Sequence, residues 1–292
     1  MQKITPHLWF DSQAKQAADF YTSVIPGSRI TRAVKLHNTP SGDCDLVWFE
    51  LAGQPFAAIS AGPLFKFNPS VSFQVKCGAK QEVDALWQKL SEGGKVLMPL
   101  DAYPFSERFG WAEDRFGLSW QVMYTGGEIS QRITPVLMFV GAVCGKAEEA
   151  INFYASVFSA PPPAVLARYG QGAEPDREGS VQFARFTLLG QEFAAMDSAR
   201  GHNFAFNEAI SFLVPCDTQQ EIDALWAKLS ADPRAEQCGW LKDKYGLSWQ
   251  IAPTILNELM SSPDPKQVAR VTQAFLKMKK FNIAELQRAA GE

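Results

Sequence analysis

Pro6, Leu8 and Phe10 alternate with His7 and Trp9, the period-two pattern of a half-buried strand. Ala17, Phe20, Tyr21 and Val24 then recur at helical spacing, which predicts a helix over residues 14–24. Val47, Phe49 and Leu51 and the run over residues 56–61 read as further strands joined by a tight turn at Gly53-Gln54. The order then repeats. Val71, Phe73 and Val75 mark a strand, and Val83, Leu86, Trp87 and Leu90 mark one face of a helix over residues 80–90. Residues 109–112 and 118–124 are strands around the turn Asp114-Arg115-Phe116-Gly117. Strand, helix and a run of strands is an α+β pattern rather than an alternating parallel one.

The whole succession recurs further along the chain. Ile4-Thr5-Pro6 returns as Ile133-Thr134-Pro135, Phe20-Tyr21 as Phe153-Tyr154, QEVDALWQKLS from Gln81 as QEIDALWAKLS from Gln220, and GWAEDRFGLSWQV from Gly110 as GWLKDKYGLSWQI from Gly239. The chain is therefore a tandem duplication, with copies expected over residues 1–128 and 129–254 and a helical tail over 255–292. The offset is 129 positions from Ile4 to Ile133, 139 from Gln81 to Gln220 and again 129 from Gly110 to Gly239. Twenty residues at 92–111 thus match only ten at 231–240, which predicts that the second copy lacks one strand and its turn. In the tail, Ser262-Pro263-Asp264-Pro265 is a helix-start signal, and Val268, Val271, Phe275 and Met278 predict a helix that docks by one face.

Composition narrows the functional classes. With 46% hydrophobic and 20% charged residues the chain reads as a soluble globular protein, and no apolar run is long enough for a bilayer. No charged-then-apolar leader stands at the amino terminus, so a cytoplasmic location is expected. A net charge of −3 gives no footprint for nucleic acid, and no polybasic segment points to a membrane surface. The cysteine count of five excludes a complete disulfide framework and, without a CxxC pair, reads as buried apolar residues. The expected partner is a small molecule, and a homodimer is one assembly open to the chain.

Phe20-Tyr21 on the first helix, Ser72-Phe73 on the strand that opens the second half, VDALWQKL on the second helix and the closing DRFGLSWQ hairpin together resemble the PhnB-like branch of the vicinal-oxygen-chelate superfamily, which includes glyoxalases, fosfomycin-resistance proteins and dioxygenases. The likeness is strongest to the group of 3-demethylubiquinone-9 3-methyltransferase domains. It implies tandem glyoxalase-like domains, each of two βαβββ modules whose curved half-cup sheets enclose a ligand cavity. No Gly-rich strand-to-helix turn for a nucleotide-type cofactor is present, so no cofactor is expected.

Strand alternation then selects the side chains facing a cup. Leu118, Trp120 and Val122 point to the helices, leaving Ser119, Gln121 and Met123 for the cup, and Ser248 and Gln250 in the second copy. The same logic nominates His7 and Trp9, or Val136 and Met138, with Ser72, Ser211, Trp48, Arg185, Ser60 and Asp197. Metal-dependent relatives place a His on the first strand and a Glu on the closing strand. Here those positions hold His7 or Val136, and Gln121 or Gln250, a set too poor in charge for a divalent ion.

The residues at these positions thus favour metal-free recognition of an apolar or aromatic ligand, with catalytic residues unassigned. One rival is a metal-dependent glyoxalase, dioxygenase or thiol transferase that recruits His7 with Glu50; His37 and His202 are expected in loops. Another is a non-catalytic sensor or assembly protein. If each cup is built from one copy, the first, with Trp9, Trp48 and the segment 94–104 carrying Val96, Met98 and Tyr103, is the more enclosed and aromatic. The second, with Arg185 and Asp197, suits a charged group or holds an internal ion pair.

Overall fold

A computed structural model describes residues 4–39 and 42–291. The first module holds β1 (Thr5–Phe10), α1 (Ala14–Val24), β2 (Arg29–Thr39), β3 (Gly42–Leu51) and β4 (Gln54–Ser60). The second holds β5 (Val71–Cys77), α2 (Lys80–Ser91), β6 (Lys95–Tyr103), β7 (Ser106–Glu113) and β8 (Ser119–Tyr124). In the third are β9 (Ile133–Val140), α3 (Ala147–Val157), β10 (Ala164–Arg168), β11 (Val181–Leu188) and β12 (Gln191–Ser198). The fourth is short: β13 (Ile210–Cys216), α4 (Gln219–Leu229), β14 (Trp240–Lys242) and β15 (Ser248–Pro253), with a 3₁₀ turn at Pro233–Ala235 where the second module has β6. The lost strand is the one the ten-residue deletion predicts. His37 falls in β2 rather than in a loop.

The modules group into two compact units that do not follow the copy boundary, Pro6–Ile210 and Met1–Thr5 with Ser211–Glu292. In the larger unit, β5 of the first copy pairs antiparallel with β9 of the second, Val71 opposite Leu137 and Val75 opposite Ile133. This seam joins two modules into an eight-stranded sheet in the order β10-β11-β12-β9-β5-β8-β7-β6. The larger unit also carries the first module's strands, with β1 parallel to β4 and β4 antiparallel to β3, which pairs with β2. Both β3–β4 and β11–β12 turn through two residues of positive φ, Ala52-Gly53 and Leu189-Gly190. Such turns match the twist of a hairpin, and Gly at the second position lowers their cost.

The repeated closing hairpin is organised by one carboxylate. Asp114 Oδ1 accepts the N–H groups of Phe116 at 2.8 Å and Leu118 at 3.1 Å, while Oδ2 accepts Trp120 Nε1 at 2.9 Å and the Tyr21 hydroxyl at 2.8 Å. The Tyr21 bond ties helix α1 to the second module, where Tyr21, Trp120 and Phe73 are fully buried. In the smaller unit Asp243 repeats the device on Tyr245, Leu247 and Trp249. The family-like DxFGxSWQ segment is thus a folding element, because a buried carboxylate needs that many donors to offset its desolvation.

In the smaller unit β13, β15 and β14 form a short run, and the tail follows as α5 (Ile255–Leu259), α6 (Pro265–Phe275) and α7 (Ile283–Gly291). Asp264 caps α6 through Lys266 N, with Pro265 in the first turn, as the sequence signal predicts. The tail also takes over part of the missing strand's role. Met278 O and Lys279 O accept the N–H groups of Cys238 and Gly239 at 2.8 and 2.7 Å, where an edge would otherwise be open.

A Cβ at Gly239 would lie 2.4 Å from the Phe281 ring, just as one at Gly110 would lie 2.5 Å from the Trp87 ring. Both copies therefore lay an aromatic ring on this glycine, from α2 in one and from the tail in the other. Trp87 and its counterpart Trp226 lie on the helix faces whose apolar spacing predicts core positions, but both are only half-buried.

Two outcomes follow. Expressed alone, residues 1–128 expose the β5 edge, whose residues are all buried in the full chain, so light scattering after gel filtration should show dimers or larger species; a monodisperse monomer would contradict the seam's importance. Phe281→Ala should cost about 3–5 kcal/mol in denaturant unfolding, since the ring is 3% exposed; a loss below about 1 kcal/mol would show that the tail merely rests on the surface.

Candidate functional site

Residues directly opposite in a sheet share a face, so register identifies the surface on which chemistry can gather. Across the eight-stranded sheet, Trp111 stands opposite Gln121, Gln121 opposite Gln74, and Gln74 opposite Thr134. The parallel pairing of Val136 with Ala194 brings Glu192 beside Thr134, and Thr187 stands opposite Glu192. One line of polar side chains thus crosses the seam between the copies. A parallel line runs through Ser72, Val136, Ala194 and Arg185. The opposite face carries Phe73, Trp120 and Val122 into the helix-covered core.

The middle of the polar line, Gln121, Gln74 and Thr134, is buried and bonded. Gln121 Nε2 donates to Ser72 Oγ at 2.9 Å, and Gln74 Nε2 donates to Gln121 Oε1 at 3.3 Å. Lys76, 6% exposed, pairs with Glu192, whose Oε1 also accepts the Thr134 hydroxyl at 3.1 Å. Gln131 clamps the backbone of Glu192 from both sides, at 2.7 and 2.8 Å. Burial pushes the Glu192 carboxyl up, but Lys76, Arg185 and Thr134 together bring it below its ordinary range. Trp111 Nε1 donates to Ser119 Oγ at 2.8 Å, which places its ring at the end of this face.

Of the residues nominated from sequence, Ser72, Gln121, Arg185, Val136 and Met138 come together here. Gln74, Lys76, Thr134 and Glu192 were not nominated. Gln74 and Lys76 continue the same alternation that singled out Ser72, and that was the available signal.

His7 and Trp48 lie on another face, that of the first module, in line with Ala57 and Arg32. The Arg32 guanidinium sits 4.9 Å from the Trp48 ring, and burial lowers the His7 pKa to about 4, so its imidazole is neutral. Trp9 Nε1 donates to Gly62 O at 2.8 Å and its ring packs edge-on against Phe65. In the smaller unit Gln250 Nε2 donates to Ser211 Oγ at 2.8 Å, repeating the Gln121–Ser72 pair, but Leu213 and Pro215 replace Gln74 and Lys76.

Three expectations are corrected. Ser60 and Asp197 do not face a cup: Ser60 stands beside core-facing Phe10, and its Oγ accepts Ala14 N at the start of α1. Asp197 Oδ1 likewise accepts Gly145 N and Ala147 N at the start of α3, with Val181 N on Oδ2. Ser60 Oγ and Asp197 Oδ1 are spent on helix starts. Arg185 and Asp197 form no internal pair, because Arg185 stands opposite Ala194, three residues from Asp197 and so on the other face. Nor is the polar face the property of one copy, since the sheet takes strands from both; Val96 of β6 is 50% exposed and walls nothing.

The donor chemistry does not fit the divalent metal that the glyoxalase-like fold can carry. At the closing strand the Gln121 amide is engaged with Ser72 and Gln74. Glu50 is already paired with Arg29 at 2.9 Å, and Arg32 stands in register with Trp48 on His7's line, so the surroundings of His7 and Glu50 are cationic rather than anionic. Among the described residues no three His, Cys, Asp or Glu side chains are grouped to hold an ion.

The model of the family described as 3-demethylubiquinone-9 3-methyltransferase matches residues 2–123 and again 131–252. A PhnB protein from Bacillus cereus is 38% identical over 42% of this chain and 100% of its own, with a TM-score of 0.40. PA1353 from Pseudomonas aeruginosa is 24% identical over 42% of this chain and 98% of its own, with a TM-score of 0.38. Glyoxalase I from Zea mays is 11% identical but covers 88% of this chain and 96% of its own at a TM-score of 0.54, a likeness of fold. No curated protein matches the chain. No helix is long and apolar enough to cross a membrane among the described residues.

Glu192→Gln would leave the Lys76 ammonium buried without a counter-charge. The Glu192 side chain is 24% exposed, so the cost at neutral pH should fall at the lower end of that for a broken buried pair, about 3 kcal/mol. Because folding lowers this carboxyl's pKa, its contribution is complete above the unfolded-chain value and is lost as pH falls through the folded one. Urea unfolding across pH should show the gap between parent and variant closing in acid; a gap independent of pH would contradict the pairing.

Proposed function

Since the chain belongs to the 3-demethylubiquinone-9 3-methyltransferase family, within the vicinal-oxygen-chelate superfamily, we propose that it binds a small molecule with an apolar or aromatic body on the polar face of the eight-stranded sheet, without a divalent metal. The observation that carries this reading is the line that runs from half-buried Trp111 through the buried Gln121, Gln74 and Thr134 to half-buried Glu192. Burying polar groups costs free energy unless they are bonded, and a fold gains nothing from keeping so many on one face when apolar residues would pack there.

The groups suit recognition. A primary amide offers two N–H donors and two carbonyl lone pairs, and Gln121 spends one of each on Ser72 and Gln74 while only 2% exposed. What remains can meet a carbonyl, hydroxyl or amide on a ligand. Val136, Ala194 and Met138, all buried, supply apolar surface beside these groups. This mix of apolar lining and a few fixed polar groups is the usual make-up of a small-molecule site.

Metal analysis by mass spectrometry of protein purified without chelator or histidine tag tests the reading. Zn, Fe, Mn and Ni should all be substoichiometric, and chelator treatment should leave the melting temperature unchanged. One tightly held equivalent of any of them, with a fall in melting temperature on its removal, would overturn it.

A further inference from the structure

On the polar face the charges do not cancel. Lys76 and Glu192 neutralise each other, and the Glu192 carboxylate is also bonded to Thr134. The positive charge in excess sits on Arg185, which helps draw the Glu192 carboxyl's pKa down but forms no ion pair with it. Its cross-strand neighbours are Ala194 on β12 and Ala164 on β10, neither able to accept a hydrogen bond from it by side chain. Its Nε is buried without a hydrogen-bond partner, and among the described residues the guanidinium forms no ion pair. A buried donor left unmatched is costly, and a guanidinium is a planar fork shaped for a carboxylate.

The surroundings define the rest of the ligand. Phe183, two residues before Arg185 on the same face, has its ring 5.9 Å from the guanidinium. Phe183 lies in line with Met196, which stands opposite Met138; Val136 and Ala194 fill the line between Arg185 and Ser72. Apolar side chains thus occupy the stretch of sheet between the cation at one end and the Ser72–Gln121 hydroxyl and amide at the other. A flat apolar body over Val136, Ala194 and the two methionines would bring an attached carboxylate against Arg185. The first copy has Trp48 at the position of Arg185, so this end of the face is particular to the third module.

We propose that the ligand is an aromatic or similarly apolar carboxylate whose anionic group pairs with Arg185. The inference rests on the proposed binding face and adds the charge and polarity of what occupies it. Water-exposed cations on the surface offer no such selectivity, because their fields are screened.

The test uses the full chain and two isosteric probes, 2-naphthoate and its neutral counterpart 2-naphthamide, titrated calorimetrically with each competing against the other. Naphthoate should bind about ten-fold more tightly, with an advantage that salt reduces less than it would that of a surface cation. Arg185→Gln should bring naphthoate down to the affinity of naphthamide and leave naphthamide within about two-fold of its parent value, with Arg185→Lys intermediate. Circular dichroism melts of both variants identify any general loss of fold, and the Lys variant then carries the comparison. If naphthamide binds but naphthoate is no tighter, or keeps its advantage in Arg185→Gln, the anion inference is wrong and the binding face stands. If neither probe binds the parent protein, both fall.

Discussion

The antiparallel pairing of β5 with β9 is the constraint from which the site follows. It sets Gln74 opposite Thr134 and Ser72 opposite Val136. Because side chains alternate between faces, a slip of one residue would send Gln74 and Thr134 to opposite sides of the sheet. In the observed register the polar positions of two separately encoded modules fall on one line, and Lys76 from the first copy meets Glu192 from the second. Duplication supplied two modules of similar pattern; the seam made one face from them.

That register is held by the opposite face. Phe73 and Val75 of β5 and Ile133 and Leu137 of β9 are at most 1% exposed, so any slip would turn apolar side chains out of the core. The Asp114 carboxylate fixes the neighbouring hairpin and ties it to Tyr21, which orients Trp120 inward and therefore Gln121 outward. A signature segment that looks like chemistry in the sequence thus acts one residue away from it. Asp114 and Trp120 build the core, and Gln121 inherits its direction.

Much of this was legible in the chain. The repeats, the α+β order, the missing strand of the fourth module and the outward face of Ser119, Gln121 and Ser72 follow from spacing and alternation. Ser60 and Asp197 were misassigned because the runs Ala57-Ala58-Ile59-Ser60 and Ala194-Ala195-Met196-Asp197 have too little alternation to set a phase; their bonds to helix-start amides decide it. Glu192 lies beside the hairpin turn, where pattern alone does not separate a solvated carboxylate from a paired one. The seam itself was not readable, since nothing in two similar apolar strands states which partner each will choose. Long-range pairing is a property of the folded whole.

The ligand is proposed to lie on the face that the seam creates. Methionine-methyl NMR tests it directly, because Met138 and Met196 stand opposite each other on that face while Met260 and Met278 lie in the tail. Titration with 2-naphthamide should move the Met138 and Met196 signals together and leave Met260 and Met278 in place. Shifts confined to the tail methionines would contradict it.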